Sequence, residues 1–157
     1  MSSIDQALMQ EALKLARKAD SADEVPVGAV IAHKNKIIAR AHNQVETLKD
    51  PTAHAEMIAI TQATNYLSSK WLQDCTIYVT LEPCSMCAGA LVLARISRLC
   101  FGASDPKTGA CGSILNLVDH ERLNHRIEVV KNIMQDECST LLSGFFQKKR
   151  KDLSRLN

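Results

Sequence analysis

Residues 76–96 constrain the fold of this chain more than any other stretch. Thr76-Ile77-Tyr78-Val79-Thr80 has the β-branched and aromatic composition of a strand. Leu81-Glu82-Pro83 ends it and opens a helix predicted from Cys84 to about Ile96. Ala88, Ala90, Leu91, Val92, Leu93 and Ala94 leave that helix hardly any polar face, so it needs cover on two sides. The sheet supplies one cover, and a second copy of the chain is the economical candidate for the other.

The remaining segments alternate in the same way. Ile4, Leu8 and Leu15, with Ala7, Ala12, Ala16 and Ala19, recur at helical spacing and predict an amphipathic helix over 4–20. Val25 to Ala32 and Ile37 to Ala41 read as two strands joined by the polar turn His33-Lys34-Asn35-Lys36. Asp50 as a cap and Pro51 as the first helical residue lead into a second helix, His54 to Tyr66. Leu99 to Gly102 and Ile127 to Val130 make a fourth and a fifth strand, and Asp136 to Leu153 a terminal helix. This order predicts an α/β fold, a three-layer α/β/α sandwich whose five-stranded sheet is mixed because of the hairpin. With 157 residues and no linker, repeat or low-complexity segment, residues 1–157 read as a single domain.

Lys and Arg number 19 and Asp and Glu 17, a net charge of +2 that is too small to announce a nucleic-acid partner by bulk charge. Any basic surface must be local. No run approaches the roughly 18 apolar residues that span a bilayer, and Met1 to Asp5 lacks the basic start and apolar middle of a signal peptide. The expectation is a cytoplasmic protein with no membrane contact, whose six cysteines are buried, metal-binding or catalytic rather than bridged.

Two short motifs carry the chemistry. Pro83-Cys84-Ser85-Met86-Cys87 sets two thiols three residues apart at a helix start, on one face, where they can share an ion. Chance supplies that pattern about 0.005 times in a chain of this composition, so two merely buried cysteines is the weaker reading. His54-Ala55-Glu56 is weak alone, since chance supplies a histidine and a glutamate two apart about 0.25 times. On a regular helix these two side chains point apart, so they can approach one metal only end-on, in the first turn. One imidazole and two thiolates make three ligands for zinc and leave its fourth position open to water, which indicates catalysis rather than scaffolding. Two thiolates acidify that water less than histidines do, so a nearby base helps, and Glu56 can move its proton to a substrate nitrogen and a leaving amine. The chemistry implied is hydrolytic deamination.

Histidine and glutamate two apart, followed by proline and paired cysteines, is the published signature of the zinc nucleobase deaminases. More closely, the chain resembles the bacterial tRNA-specific adenosine deaminases of the cytidine deaminase superfamily. The resemblance rests on Glu24-Val25-Pro26-Val27-Gly28-Ala29-Val30, Asp50 to Glu56, Val79 to Ala90, Asp105-Pro106-Lys107-Thr108-Gly109 and Asn124-His125-Arg126. It implies a cytidine deaminase-like fold, a homodimer, one zinc per subunit, and a wobble adenosine flipped out of a tRNA anticodon stem-loop and converted to inosine. It maps His54, Cys84 and Cys87 to the zinc ligands and Glu56 to the proton shuttle.

The same resemblance places Asn43 where the purine edge is read, which suits an amide that both donates and accepts, although an Asn capping a strand end is the alternative. Val27, Ala55 and Leu81 are candidate apolar walls, with core packing as the competing account for Val27 and Leu81. Asp105, in a loop with Lys107, is a candidate acceptor for a ribose 2′-hydroxyl or else a turn cap. Phe145-Phe146-Gln147-Lys148-Lys149-Arg150-Lys151 joins two aromatics to four cations, a pattern that stacks bases and tracks phosphates or else a solvated helix end. Ser104 and Cys111 depart from the family pattern, where Arg and Ala are common. Two other readings stay open: a free-base or nucleoside deaminase, such as one acting on guanine or cytosine, and a zinc scaffold with a fourth protein ligand.

Overall fold

The computed structural model describes residues 2–156. Helix α1 spans Ser3–Ser21, capped by the Ser2 hydroxyl, which accepts from the Asp5 N–H at 3.1 Å. Strands β1 (Gly28–His33) and β2 (Lys36–His42) form the expected hairpin. Its turn is only Lys34-Asn35, both left-handed, as a two-residue connection of twisted strands requires. β1 starts at Gly28 rather than Val25, because Pro26 has no N–H to give a ladder and the Val27 N–H turns back to the Val25 carbonyl at 2.8 Å.

The second helix is the main correction. Asp50 and Pro51 do not start it: Asp50 Oδ1 accepts from the Thr52 N–H at 2.8 Å and hydroxyl at 2.7 Å, closing a local turn. One extra helical turn, α2 (Val45–Leu48), precedes this bend, and helix α3 runs over Ala55–Leu67 with His54 as its N-cap. Strand β3 (Cys75–Leu81) leads into α4 (Ser85–Leu93), whose N-cap is Cys84. α4 stops earlier than the predicted Ile96, since Arg95 is left-handed (φ 58°) and its N–H closes onto the Val92 carbonyl at 3.1 Å. Strands β4 (Arg98–Ala103) and β5 (Glu128–Val130) and helix α5 (Gln135–Arg155) complete the chain.

The sheet order is β2-β1-β3-β4-β5, antiparallel across the first two pairs and parallel across the last two, so it is mixed. α1 and α5 pack on one face, while α3 lies against β1 and β2 on the other and touches α4. This is the three-layer sandwich of the cytidine deaminase-like fold. No helix among the described residues is long and apolar enough to cross a membrane.

Gly28 marks where α1 crosses β1. A Cβ there would lie 2.1 Å from the Ala12 carbonyl oxygen and 2.6 Å from the Ala16 nitrogen, so only glycine permits the approach. The buried Asp5 carboxylate clamps α1 to β3 and β4, accepting from Arg98 through both oxygens at 2.8 Å and from the Tyr78 hydroxyl at 2.7 Å. The Arg98 guanidinium first, and the Tyr78 hydroxyl against the cost of burial, hold Asp5 well below the usual carboxylate range.

Asp5→Asn is expected to cost about 3 kcal/mol at neutral pH in urea unfolding, since it removes the buried carboxylate and leaves Arg98 only the exposed Glu128 at 3.9 Å. A depressed folded pKa stabilises above the unfolded carboxylate value and loses that stabilisation as pH falls towards the folded one. The gap between wild type and variant should therefore narrow from about pH 4 downward, and a constant gap would refute the assignment.

Candidate active site

The sheet opens its site along one edge. Gly28 pairs with His42, and Leu81 with Ala103, so the start of β1 and the ends of β2, β3 and β4 lie side by side. Val27 precedes this edge, and Asn43, Glu82 and the 104–113 segment follow it. α3 and α4 both begin here, which places His54 and Cys84 at N-cap positions and Glu56 and Cys87 within the first turns. Asn43 Oδ1 accepts from the Ala55 N–H at 2.9 Å, so an amide from the end of β2 caps α3 in place of Asp50.

His54 Nδ1 lies 3.7 Å from Cys84 Sγ and 3.4 Å from Cys87 Sγ, and the three ligand atoms all fall within 4.8 Å of one another. An ion about 2.0 Å from nitrogen and about 2.3 Å from sulfur in a tetrahedral site sets N···S edges near 3.5 Å, which these distances match. No fourth histidine, cysteine or carboxylate joins the cluster among the described residues. Cys75, the nearest spare thiol in sequence, pairs with His33 at the opposite end of β1 and is buried there.

The donors already behave as a coupled set. The Cys87 thiol, then His54, holds the Cys84 thiol down at about 3, while its hydrogen bond to Cys84 and burial push Cys87 up. A divalent cation in the same place would hold both thiols deprotonated. The hydrogen bond to Cys84 raises His54, and burial raises Glu56 against the opposing pull of the His54 ring.

His54, Glu56 and Cys84 form the floor of a cavity of about 850 Å³, with the buried Cys87 off its wall. Val27, Asn43 and Leu81 line it, and so do Asp105, Phe145 and Lys149. Ala55 is fully buried and lies off the cavity wall, because its N–H rather than its methyl is turned to Asn43. Lys107, Lys148 and Arg150 are exposed outside it. Asp105 takes the turn-capping role: Oδ1 accepts from the Lys107 and Thr108 N–H groups and Oδ2 from the Thr108 hydroxyl at 2.7 Å. Phe145 is the buried ring of the pair and Phe146 the exposed one, and Lys149 is tied to Asp23 at 2.7 Å above the Phe145 ring.

Two residues with no assignment from the sequence hold the rims. Glu24, 1% exposed, accepts from the Glu46 N–H and from the Thr47 N–H and hydroxyl, fixing the α2 wall. Glu82, 2% exposed, accepts from the N–H groups of Asp105, Cys111 and Ser113 and from the Ser113 hydroxyl. Burial raises both carboxyls, but the hydrogen bonds outweigh it and each is held below its ordinary value. Beyond the cavity, His125 bonds the Ile96 carbonyl at 2.6 Å, and His120 caps its own turn by accepting from the Arg122 N–H at 3.1 Å.

A family model of MafB19-like deaminases matches residues 4–150 of the chain. The tRNA-specific adenosine deaminase of Bacillus subtilis (strain 168) is 50% identical over 147 residues, 94% of this chain and 91% of that one. A solved structure from work on A-to-I editing by tRNA:A34 deaminases at the wobble position of transfer RNA superposes with a TM-score of 0.84 at 41% identity, covering 87% of this chain and 99% of that chain. The guanine deaminase from Nitrosomonas europaea superposes with a TM-score of 0.76 at 25% identity, covering 89% and 83%.

Proposed function

This chain belongs to the tRNA-specific adenosine deaminases, and we propose that it hydrolyses the wobble adenosine (position 34) of the ACG anticodon of an arginine tRNA to inosine, releasing ammonia. The observation that carries this reading is the meeting of His54, Cys84 and Cys87 beside the buried Glu56, at the floor of a cavity whose wall includes Lys49 and Lys149. The adenosine deaminase relatives match at about twice the identity of the guanine deaminase, which favours adenosine in RNA over a free base. The whole chain reads as one deaminase domain working in the cytoplasm, where its substrate is found.

His54 Nδ1 and the two thiolates would hold one zinc per subunit, and zinc bound there would supply an acidified water as the nucleophile. Glu56 takes the first water proton as the C6–O bond forms and delivers it to purine N1, then carries the second, from the hydroxyl now on C6, to the exocyclic amine as the C6–N bond breaks, leaving a C6 carbonyl and ammonia. Burial keeps its proton affinity high, which suits a group that accepts and returns a proton in one cycle. Asn43 gives its oxygen to the Ala55 N–H, which leaves its NH2 to donate to an acceptor nitrogen on the purine edge. Val27 and Leu81 pack against the base. Asp105 keeps lone pairs for a ribose hydroxyl beside its turn contacts, with Lys107 at the same rim.

A second copy of the chain completes α4. Cys87, Ala88 and Leu91 are buried within the protomer, whereas Leu93 is 80% exposed on the opposite side. Sedimentation is expected to give twice the 17.3 kDa chain mass for wild type and one chain mass for Leu93→Glu; a monomeric wild type would remove the dimer.

The function is tested with zinc-loaded protein on an arginine anticodon stem-loop bearing wobble adenosine, alongside free adenosine, cytidine, cytosine and guanine. Inosine is expected in the stem-loop alone, and ammonia released only from a free base or nucleoside would overturn the RNA assignment. In the same assay Glu56→Ala should keep its zinc and lose at least about a hundredfold in kcat; near-normal turnover would remove its shuttle role. Replacing Lys148, Lys149, Arg150 and Lys151 by Ala should weaken stem-loop binding and flatten its salt dependence by roughly two to three counterions, fewer than four because Lys149 is already paired with Asp23. An unchanged slope returns the tract to a solvated helix end.

A further inference from the structure

Glu82 lies between the two halves of the site. Its backbone belongs to the turn that delivers Cys84, and the Glu82 N–H bonds the Ala103 carbonyl at 2.8 Å. Its carboxylate faces the other way, into a loop with little regular structure of its own. Oε1 accepts from the Asp105 N–H at 3.0 Å and the Ser113 hydroxyl, and Oε2 from the N–H groups of Cys111 at 3.0 Å and Ser113 at 3.1 Å. Three backbone N–H groups without partners in helix or sheet thus converge on one buried anion. The same loop is stitched to the metal-bearing turn by the Ala110 N–H on the Pro83 carbonyl at 2.9 Å and by the bridge between Cys84 and Gly109.

The fit is close enough to exclude any side chain opposite. A Cβ on Gly109 would lie 2.4 Å from both Cδ and Oε2 of Glu82 and 2.5 Å from the Asp105 carbonyl oxygen. We propose that Glu82 is a positioning residue for the RNA substrate: it fixes the Asp105–Ser113 loop to the Cys84 turn, so that the rim is set in register with the reacting atoms. The proposal rests on the tRNA deaminase reading and assigns to Glu82 no contact with the substrate.

The hydrogen-bond pattern makes Glu82→Gln a selective probe. An amide has one acceptor oxygen, so its NH2 must face one set of donors. Turned towards Oε2 it opposes two N–H groups; turned towards Oε1 it opposes one, at Asp105, and can donate to the Ser113 hydroxyl. The second orientation keeps Cys111 and Ser113 in place and releases Asp105.

Wild type is first shown to form inosine in the stem-loop; failure there would sink the functional reading and not this one. Zinc-loaded Glu82→Gln, at a temperature where its melting curve shows it fully folded and with zinc equimolar to chain, is expected to raise KM for the stem-loop about tenfold, with kcat within about threefold. Amide hydrogen exchange should rise at Asp105 and much less at Cys111 and Ser113. A loss of folding stability alone would lower the active fraction and leave KM unchanged, and that result overturns the proposal. Should Glu82→Gln fail to fold, Ser113→Ala removes one donor and Gly109→Ala displaces the carboxylate from outside; a raised KM with near-normal kcat in both supports the proposal, and an unchanged KM in either refutes it.

Discussion

The site exists because two helices start at one place. β2 and β3 flank β1 and are both antiparallel to it, so they run the same way and deliver α3 and α4 at the same edge and on the same face. Two strands separated by a third are about 9.6 Å apart, within the roughly 8 to 10 Å that packed helices keep between their axes. Small residues where these helices meet the core, Ala55 and Ala59 on α3 and Ala88 on α4, permit that spacing. His54 and Cys84 are then N-caps of adjacent helices, and both positive helix ends favour the thiolate and carboxylate charge gathered there. A one-residue slip of β3 against β1 would turn every β3 side chain to the opposite face and break the arrangement.

Around that floor the chain solves a second problem, which is how to hold loops that supply few of their own hydrogen bonds. Glu24 and Glu82 do it from opposite rims, each a buried carboxylate met by backbone N–H groups and a hydroxyl rather than by a cation. An anion solvated by fixed N–H dipoles needs no cation of its own and fixes several residues at once. Asn43 applies the same device to α3 itself.

What was legible in the sequence was what leaves a local trace. Strand and helix periods, the Cys84 and Cys87 spacing and the His54 and Glu56 pair each lie within a few residues, and the mixed character of the sheet followed from the hairpin. The misses have the opposite character. Asp50-Pro51 carries a helix-start signal, but the bond that caps α3 comes from Asn43, twelve residues from Ala55, and no local pattern encodes it. Glu82 reads as the end of a strand because its partners begin twenty-three residues later. The choice between Phe145 and Phe146 turned on which face of α5 meets the sheet, and two adjacent aromatics cannot state that by themselves.

A net charge of +2 means that attraction for a polyanion has to come from arrangement, and α5 shows how. At about 100° per residue, Lys148, Arg150 and Lys151 fall on an arc of roughly 160° that leaves out Lys149. Lys149 turns to the cavity, where Asp23 neutralises it and the Phe145 ring lies beneath it. Its work is to pin the end of α5 to the turn after α1, which fixes the arc carrying the other three cations. Phe146 stands four residues before Arg150, so the exposed ring and a free guanidinium share one face of the helix. Of those three cations Arg150 lies nearest the Phe146 face, whereas Lys148 and Lys151 fall on the side of α5 away from Lys149. The two lysines on the cavity wall, Lys49 and Lys149, each have an acid beside them, Glu46 and Asp23, so neither adds net charge by the metal-binding floor.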